Sequence, residues 1–196
     1  MEFQDVVRGR RMVRNFEDRP IPPATVERIL ANARRGPSAG FSQGFEFLVL
    51  EGREQVDGFW QAVSPDRGWE RAGWPGVYHA PLVIVPLAHK QTYLDRYAEP
   101  DKPWPDRDES HWPVPYWYID TGFAALLVLL TAADAGLGAL FFGIADPSTF
   151  RSSYSIPPTY EPIGAIVIGY PAPARPSASL NRGHRPPTQI IPRGAW

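Results

Sequence analysis

The chain has no cysteine. Disulfides, thiolate nucleophiles and cysteine-ligated metals are therefore excluded. Lysine is almost missing, with only Lys90 and Lys102, and arginine carries nearly all the positive charge. The four histidines (His79, His89, His111, His184) show neither metal-ligand spacing nor an HExxH-type motif. GPSAG (residues 36–40) and GFSQG (residues 40–44) match the GxSxG string, but they lie after a helix and before a strand, the reverse of the strand-to-helix elbow, so a hydrolase triad is not indicated. The chain also lacks a strong net charge. At -1 it does not suit a protein that holds nucleic acid over its whole surface. No repeat is evident. The opening residues MEFQDVVRGR do not read as a signal peptide. The longest apolar run, residues 123–133, falls short of the roughly 20 residues that a bilayer span needs. These absences predict a soluble, cytoplasmic protein with neither membrane nor nucleic acid as partner.

What remains is 196 residues, 43% of them hydrophobic, enough for one domain with a real core. Residues 22–35 place Val26, Ile29, Leu30 and Ala33 on one helical face behind two prolines. Residues 45–51 (FEFLVLE) and 80–88 (APLVIVPLA) read as strands, the second buried. Residues 118–135 form a helix apolar almost all round, hence central. A short strand or turn follows at 139–144. A short helix capped by Asp146 comes next, then a buried strand at 162–171. Residues 90–117 read as one long irregular segment rich in proline and aromatics, as a lid or binding loop would be. The tail, 172–196, ends on isoleucines and Trp196, which suggests docking on another surface. Strands interleaved with helices give an α/β or α+β layered fold in a single domain.

Three stretches could carry chemistry. RGRRMVRNF, residues 8–16, packs four arginines into seven residues of a neutral chain. If the segment is helical, Arg10 and Arg14 share a face. Guanidinium groups suit phosphate, which they grip with paired hydrogen bonds. A solvated basic surface paired with Glu17 and Asp18 is the plain alternative, and a nucleic-acid patch a weaker one. GPSAGFSQGF, residues 36–45, offers small residues for close backbone approach and Ser38, Ser42 and Gln43 for hydrogen bonds. Alone, it is simply a loop. GLGALFFGI, residues 136–144, has glycines that close a helix and does not open one, against a Rossmann site.

In this order, RGRRMVRNFEDRPI, ARRGPSAGFSQGFEFLVL, AADAGLGALFFGI and AIVIGYP resemble the nitroreductase family of FMN-dependent oxidoreductases nearly end to end. The resemblance implies an α+β fold with a central mixed sheet flanked by helices, in an intertwined homodimer. It implies that residues matching Arg10, Arg11, Met12 and Arg14 line the cofactor, the arginines holding the FMN phosphate and the pyrimidine edge of the ring. The loop matching Pro37, Ser38, Ala39, Gly40, Phe41 and Gln43 would touch ribityl and ring, partly from the partner subunit. Backbone matching Phe142, Gly143 and Ile144 would face the flavin. Arg185, and after it Arg182, would join the phosphate from a tail docked on the partner. Apart from the resemblance, Trp104, Trp112, Tyr116 and Trp117 of the 90–117 segment are candidate walls for a flat aromatic substrate within a lid, the alternative being that these rings simply anchor a long loop to the core.

Three departures from the family pattern stand out. Met12 replaces the Ser or Thr of many members, Phe41 an Asn beside the flavin, and Ile144 the second glycine of a Gly-Gly pair. With no cysteine nucleophile, hydrolase triad or metal cluster, the cofactor must carry the chemistry. NAD(P)H is then the expected reductant, in a ping-pong hydride transfer to nitroaromatic or quinone acceptors. The alternatives are a specialised relative (deazaflavin maturation, flavin cleavage or reductive dehalogenation) and a non-catalytic flavin-binding protein.

Overall fold

The computed structural model describes residues 1–194. Its core is a sheet of five strands: β1 (Phe45–Glu51), β2 (Leu82–His89), β3 (Gly138–Phe142), β4 (Tyr160–Pro162) and β5 (Ala165–Gly169), in the order β1-β2-β5-β3 with β4 also on β2. The expected mixed sheet is antiparallel in every ladder among the described residues. Its one parallel pairing is the isolated bridge of Met12 with Ala139.

Alternation along the strands explains the layers. Successive side chains point to opposite faces. Val83, Val85 and Val167 therefore join one core cluster with Val56, Phe59, Trp60 and Phe150, while Leu82, Ile84, Ile166 and Ile168 join a second with Val26, Ile29, Val128 and Ala132. Both faces are covered, so β2 and β5 read as continuous apolar runs. Burying one such side chain contributes roughly 1.5–3 kcal/mol. Pro86 cannot donate to a ladder. It sits where β2 changes neighbours, between β5 at Leu82–Ile84 and β4 at Leu87–His89.

Helices α1 (Phe3–Gly9), α2 (Pro23–Ala33), α3 (Gly52–Val63), α4 (Gly68–Arg71), α5 (Lys90–Tyr97), α6 (Tyr116–Asp134), α7 (Pro147–Ser153) and α8 (Pro187–Ile190) surround the sheet. Helix α3 was not expected, although Val56, Phe59 and Trp60 recur at helical spacing and are buried. The Asp146 cap of α7 is present, its carboxylate accepting from the Ser148 and Thr149 amides. Helix α6 ends in Gly136 at φ 73°, with the Gly136 and Leu137 amides donating back to Ala133 and Ala132. That wrap needs a residue tolerant of left-handed backbone.

Three expectations change here. Residues 90–117 are not one irregular segment, because α5 occupies the start and α6 begins at Tyr116. Arg10 and Arg14 do not share a helical face, because α1 stops at Gly9 and Arg10 is already extended. At 19 residues, α6 is long and apolar enough to cross a membrane by length and composition, beyond what the 123–133 run indicated. A core helix passes the same test, and Ala124, Val128 and Ala132 of α6 are wholly buried inside the protein.

Candidate functional site

The arginine segment runs extended along the open edge of β3. The Val13 amide donates to the Ala139 carbonyl at 2.9 Å, and the Phe141 amide points to the Met12 sulfur at 3.5 Å. The thioether thus occupies an edge amide of β3. Buried Val13 anchors the segment, and its methyls fill the space that a Cβ on Gly138 would need. Arg8, Arg10 and Arg11 line a cavity of about 520 Å³ together with Leu129, Ala133 and residues 136–139. Arg14 turns elsewhere, its guanidinium carbon 5.3 Å from the Trp74 ring centre. None of Arg8, Arg10, Arg11 and Arg14 has a carboxylate partner among the described residues. Asp18 pairs with Arg53, so the plain alternative of pairing inside the cluster does not hold for that residue. Unpaired forks beside a cavity are the donor set that a phosphate needs.

Phe142, Gly143 and Ile144 continue from the same edge. Phe142 stacks on Trp60 with ring centres 5.6 Å apart and planes 5° apart. Ile144 packs against the first core cluster, which gives the departure from glycine a structural role. The space beside Gly143 is open.

The loop at 37–43 lies at the other end of α6. A short 3-10 turn, Ala39–Phe41, carries two residues at positive φ, Gly40 (59°) and Phe41 (57°), and Gln43 (54°) follows just beyond it. For the two side-chain-bearing residues such backbone costs about 1–3 kcal/mol each. The surroundings hold it. The Ala39 amide donates to Asp120 at 2.8 Å, the Gln43 amide to Ser38 Oγ at 2.9 Å, and Arg96 to the Gly40 carbonyl at 2.9 Å. Ser42 Oγ donates to the Ala39 carbonyl at 2.6 Å. The Ser42 hydroxyl therefore donates within the loop, whereas Ser38 Oγ accepts there and keeps its own O–H for a further partner. Phe41 is 77% exposed. Gly40 is required, since a Cβ there would stand 2.7 Å from the Tyr97 ring. Asp101 grips Arg96 with both oxygens, and that pairing holds its carboxyl down at about 2. Asp120, Tyr93 and Arg96 were missed in the sequence. No motif marks them, since each acts on the loop from 50 or more residues away.

The four aromatic residues named for the lid do cluster, but largely on one another and on α5. Trp112 meets Tyr97 edge-on at 4.5 Å and Trp104 at 5.3 Å, and Trp104 stacks on Tyr97 at 5.1 Å. Trp117 is buried at 4% exposure in a small core with Ala88 and Tyr93. Tyr116 is exposed and touches Trp112. Arg182 and Arg185 stand on the exposed tail, with Arg185 donating to the Gln189 carbonyl and not to the arginine segment. Trp196 lies outside the described residues.

Asp120 and Ala133 are 13 residues apart on α6, about 20 Å along its axis at 1.5 Å per residue. The 37–43 loop and the arginine cavity thus occupy opposite ends of one helix.

The Nitroreductase family model matches residues 7–170. The chain belongs to the nitroreductase family. Within it, a Methanothermobacter thermautotrophicus protein provisionally named NADH dehydrogenase/NAD(P)H nitroreductase is 27% identical over 177 residues, covering 88% of this chain and 78% of that protein. A Rhodospirillum rubrum 5,6-dimethylbenzimidazole synthase is 27% identical over 191 residues, covering 88% and 83%. Among solved structures, a provisionally assigned nitroreductase from Exiguobacterium sibiricum in complex with FMN superposes with a TM-score of 0.75 at 20% identity, covering 97% of this chain and 96% of that one. That likeness is one of fold. Nitroreductase family membership agrees with the α+β layering.

Proposed function

We propose that this nitroreductase-family chain is an FMN-dependent oxidoreductase that uses NAD(P)H to reduce flat acceptors such as nitroaromatics or quinones, and that it works as a homodimer. The observation that carries the reading is the unpaired Arg10 and Arg11 on a cavity at the head of β3. The FMN complex of a relative with the same fold supports the choice of ligand.

When bound, FMN would supply the hydride-accepting and hydride-donating chemistry. The chain's own residues would do the rest. Arg10 and Arg11 would bind the phosphate as forked donors. The backbone at Gly143, beyond the β3 ladder and open on one side, would let a planar group approach closely. Arg14 would bring positive charge to the cofactor's electron-rich edge, where fixed charge favours the reduced form. Trp104 and Tyr116, neither of them buried, would flank the acceptor.

Two features support a homodimer. From one chain, a cofactor could touch both the arginine cavity and the 37–43 loop only by running most of the length of α6. A partner's loop removes that constraint. Apolar residues also stand exposed on α6 and on the loop, with Phe123 at 46%, Leu126 at 45% and Phe41 at 77%. Water contact of that kind is relieved by a subunit interface.

The test is the visible spectrum of the purified protein before and after NADH or NADPH. A flavin spectrum that bleaches is expected. A colourless protein that takes up no added FMN would remove the reading. The synthase relative favours a second reading, a specialised flavin-using synthase. Rapid steady-state turnover of NAD(P)H with menadione would count against it.

A further inference from the structure

One guanidinium stands between the strained 37–43 loop and the aromatic segment that precedes α6. Arg96 Nε donates to the Gly40 carbonyl at 2.9 Å, while Nη1 and Nη2 donate to the two oxygens of Asp101 at 2.7 Å and 2.8 Å. Nη1 also reaches Glu99 at 2.9 Å. All three nitrogens of the fork are therefore used, one on the loop and two on the chain leaving α5. A lysine, with a single nitrogen on a flexible stem, cannot reproduce that division.

Tyr97, the next residue, makes the same connection through its ring. A Cβ on Gly40 would stand 2.7 Å from Tyr97 Cε2, so the loop lies directly against it. Trp104 stacks on Tyr97 with centres 5.1 Å apart and planes 24° apart, and its amide donates to the Tyr97 carbonyl at 3.2 Å. His111 stacks on Trp104 in turn, at 5.1 Å and 14°. Other ion pairs fasten the same segment to α5: Arg107 with Asp95 at 2.8 Å and Lys90 with Glu109 at 2.7 Å, all four side chains 42–56% exposed. Exposed pairs of that kind contribute little. Arg96 differs on two counts. Its side chain is 23% exposed, and it bonds to backbone held at positive φ, which persists only where the surroundings over-determine it.

We propose that Arg96 is a positioning residue that couples the 37–43 loop to the Trp104 segment, so that the loop's grip on the cofactor and the binding of a flat acceptor are set together. The proposal deepens the oxidoreductase reading above and rests on it, with the loop as a cofactor contact and Trp104 as a flank of the acceptor. Asp101 carries the coupling into the segment, three residues before Trp104, and has no bond to the loop itself among the described residues.

The experiment compares wild type, Arg96→Ala, Arg96→Lys, Asp101→Asn and Arg107→Ala in two measurements. One is steady-state kinetics with NAD(P)H and menadione in excess FMN. The other is flavin release on dilution, followed by free-flavin fluorescence. Arg96→Ala is expected to raise the menadione KM, with kcat little changed, and to release flavin at higher protein concentration, each by about tenfold. Arg96→Lys should show both losses. Asp101→Asn should also loosen flavin, although its side chain lies outside the loop. Arg107→Ala, which breaks a neighbouring pair, should match wild type in both. Asp101→Asn that holds flavin like wild type would overturn the coupling. So would Arg107→Ala with losses equal to those of Arg96→Ala, or Arg96→Ala with a lower melting temperature but unaltered KM and flavin release. If Arg96→Ala does not fold, Asp101→Asn still decides, because that side chain is 61% exposed. Wild type without flavin, or without menadione turnover, would instead defeat the oxidoreductase reading and the proposal with it.

Discussion

Tyr93 donates its hydroxyl to Asp120 at 2.9 Å, and the same carboxylate oxygen accepts the Ala39 amide at 2.8 Å. A buried carboxylate on α6 thereby joins α5 to the strained 37–43 loop. Asp120 is 3% exposed and Tyr93 is wholly buried. Removing one partner of such a bond leaves a buried group unpaired, at about 1–3 kcal/mol. Tyr93→Phe is therefore expected to lower stability by an amount in that range, and Asp120→Ala by more, since two donors lose their acceptor. Urea denaturation measures both. An Asp120→Ala midpoint equal to wild type would mean that the carboxylate does not hold the loop.

The same pair sets an alkaline limit. Burial, then the bond to Asp120, pushes the Tyr93 phenol above its ordinary value. A group raised in the folded state contributes stability that is fully present below its unfolded value, about 10, and is lost as pH climbs beyond it. Wild type should therefore lose stability above about pH 10 more steeply than Tyr93→Phe. In the folded protein, phenolate absorbance of the two should coincide through about pH 11. A missing tyrosine signal in Tyr93→Phe below that pH would contradict the assignment.

Arg10 and Arg11 line the cavity and Arg14 does not, so their substitutions should differ in kind. Arg10→Ala is expected to weaken FMN by about 2–5 kcal/mol, the cost of removing one partner of a buried charge pair. The loss should be smaller for riboflavin, which has no phosphate. Fluorescence titration of both flavins checks this. Equal losses would move Arg10 away from the phosphate.

Exposed apolar residues on α6 give a direct test of assembly. Leu126→Asp is expected to yield a monomer by light scattering at micromolar protein and to lose flavin in the same step. A monomeric wild type with flavin bound would defeat the homodimer reading.

The aromatic four should separate by burial. Trp117→Ala removes a side chain 4% exposed and should cost about 3–5 kcal/mol of stability. Trp104→Ala, at a half-exposed position, should cost less and instead raise KM for a flat acceptor. If Trp104→Ala leaves acceptor kinetics untouched, the ring only anchors its loop.

Much of this molecule is written in local pattern. Residues 45–51 are rich in β-prone residues over a strand's length and pair as β1, residues 22–35 contain α2, and the Asp146 cap and the Gly136 stop fall where short-range backbone chemistry demands. The Arg-rich segment was visible as a charge anomaly, because clustering of one residue type needs no partner to be noticed. What the sequence could not decide depends on groups far apart along the chain. An extended arginine segment looks helical until β3 offers an edge at Ala139, more than a hundred residues later. The same distance problem hid Asp120 from the loop it holds and Arg96 from Gly40. Hydrogen bonds and cation contacts act over a few ångströms in space, whatever the separation in sequence, so only the tertiary structure could bring those partners together.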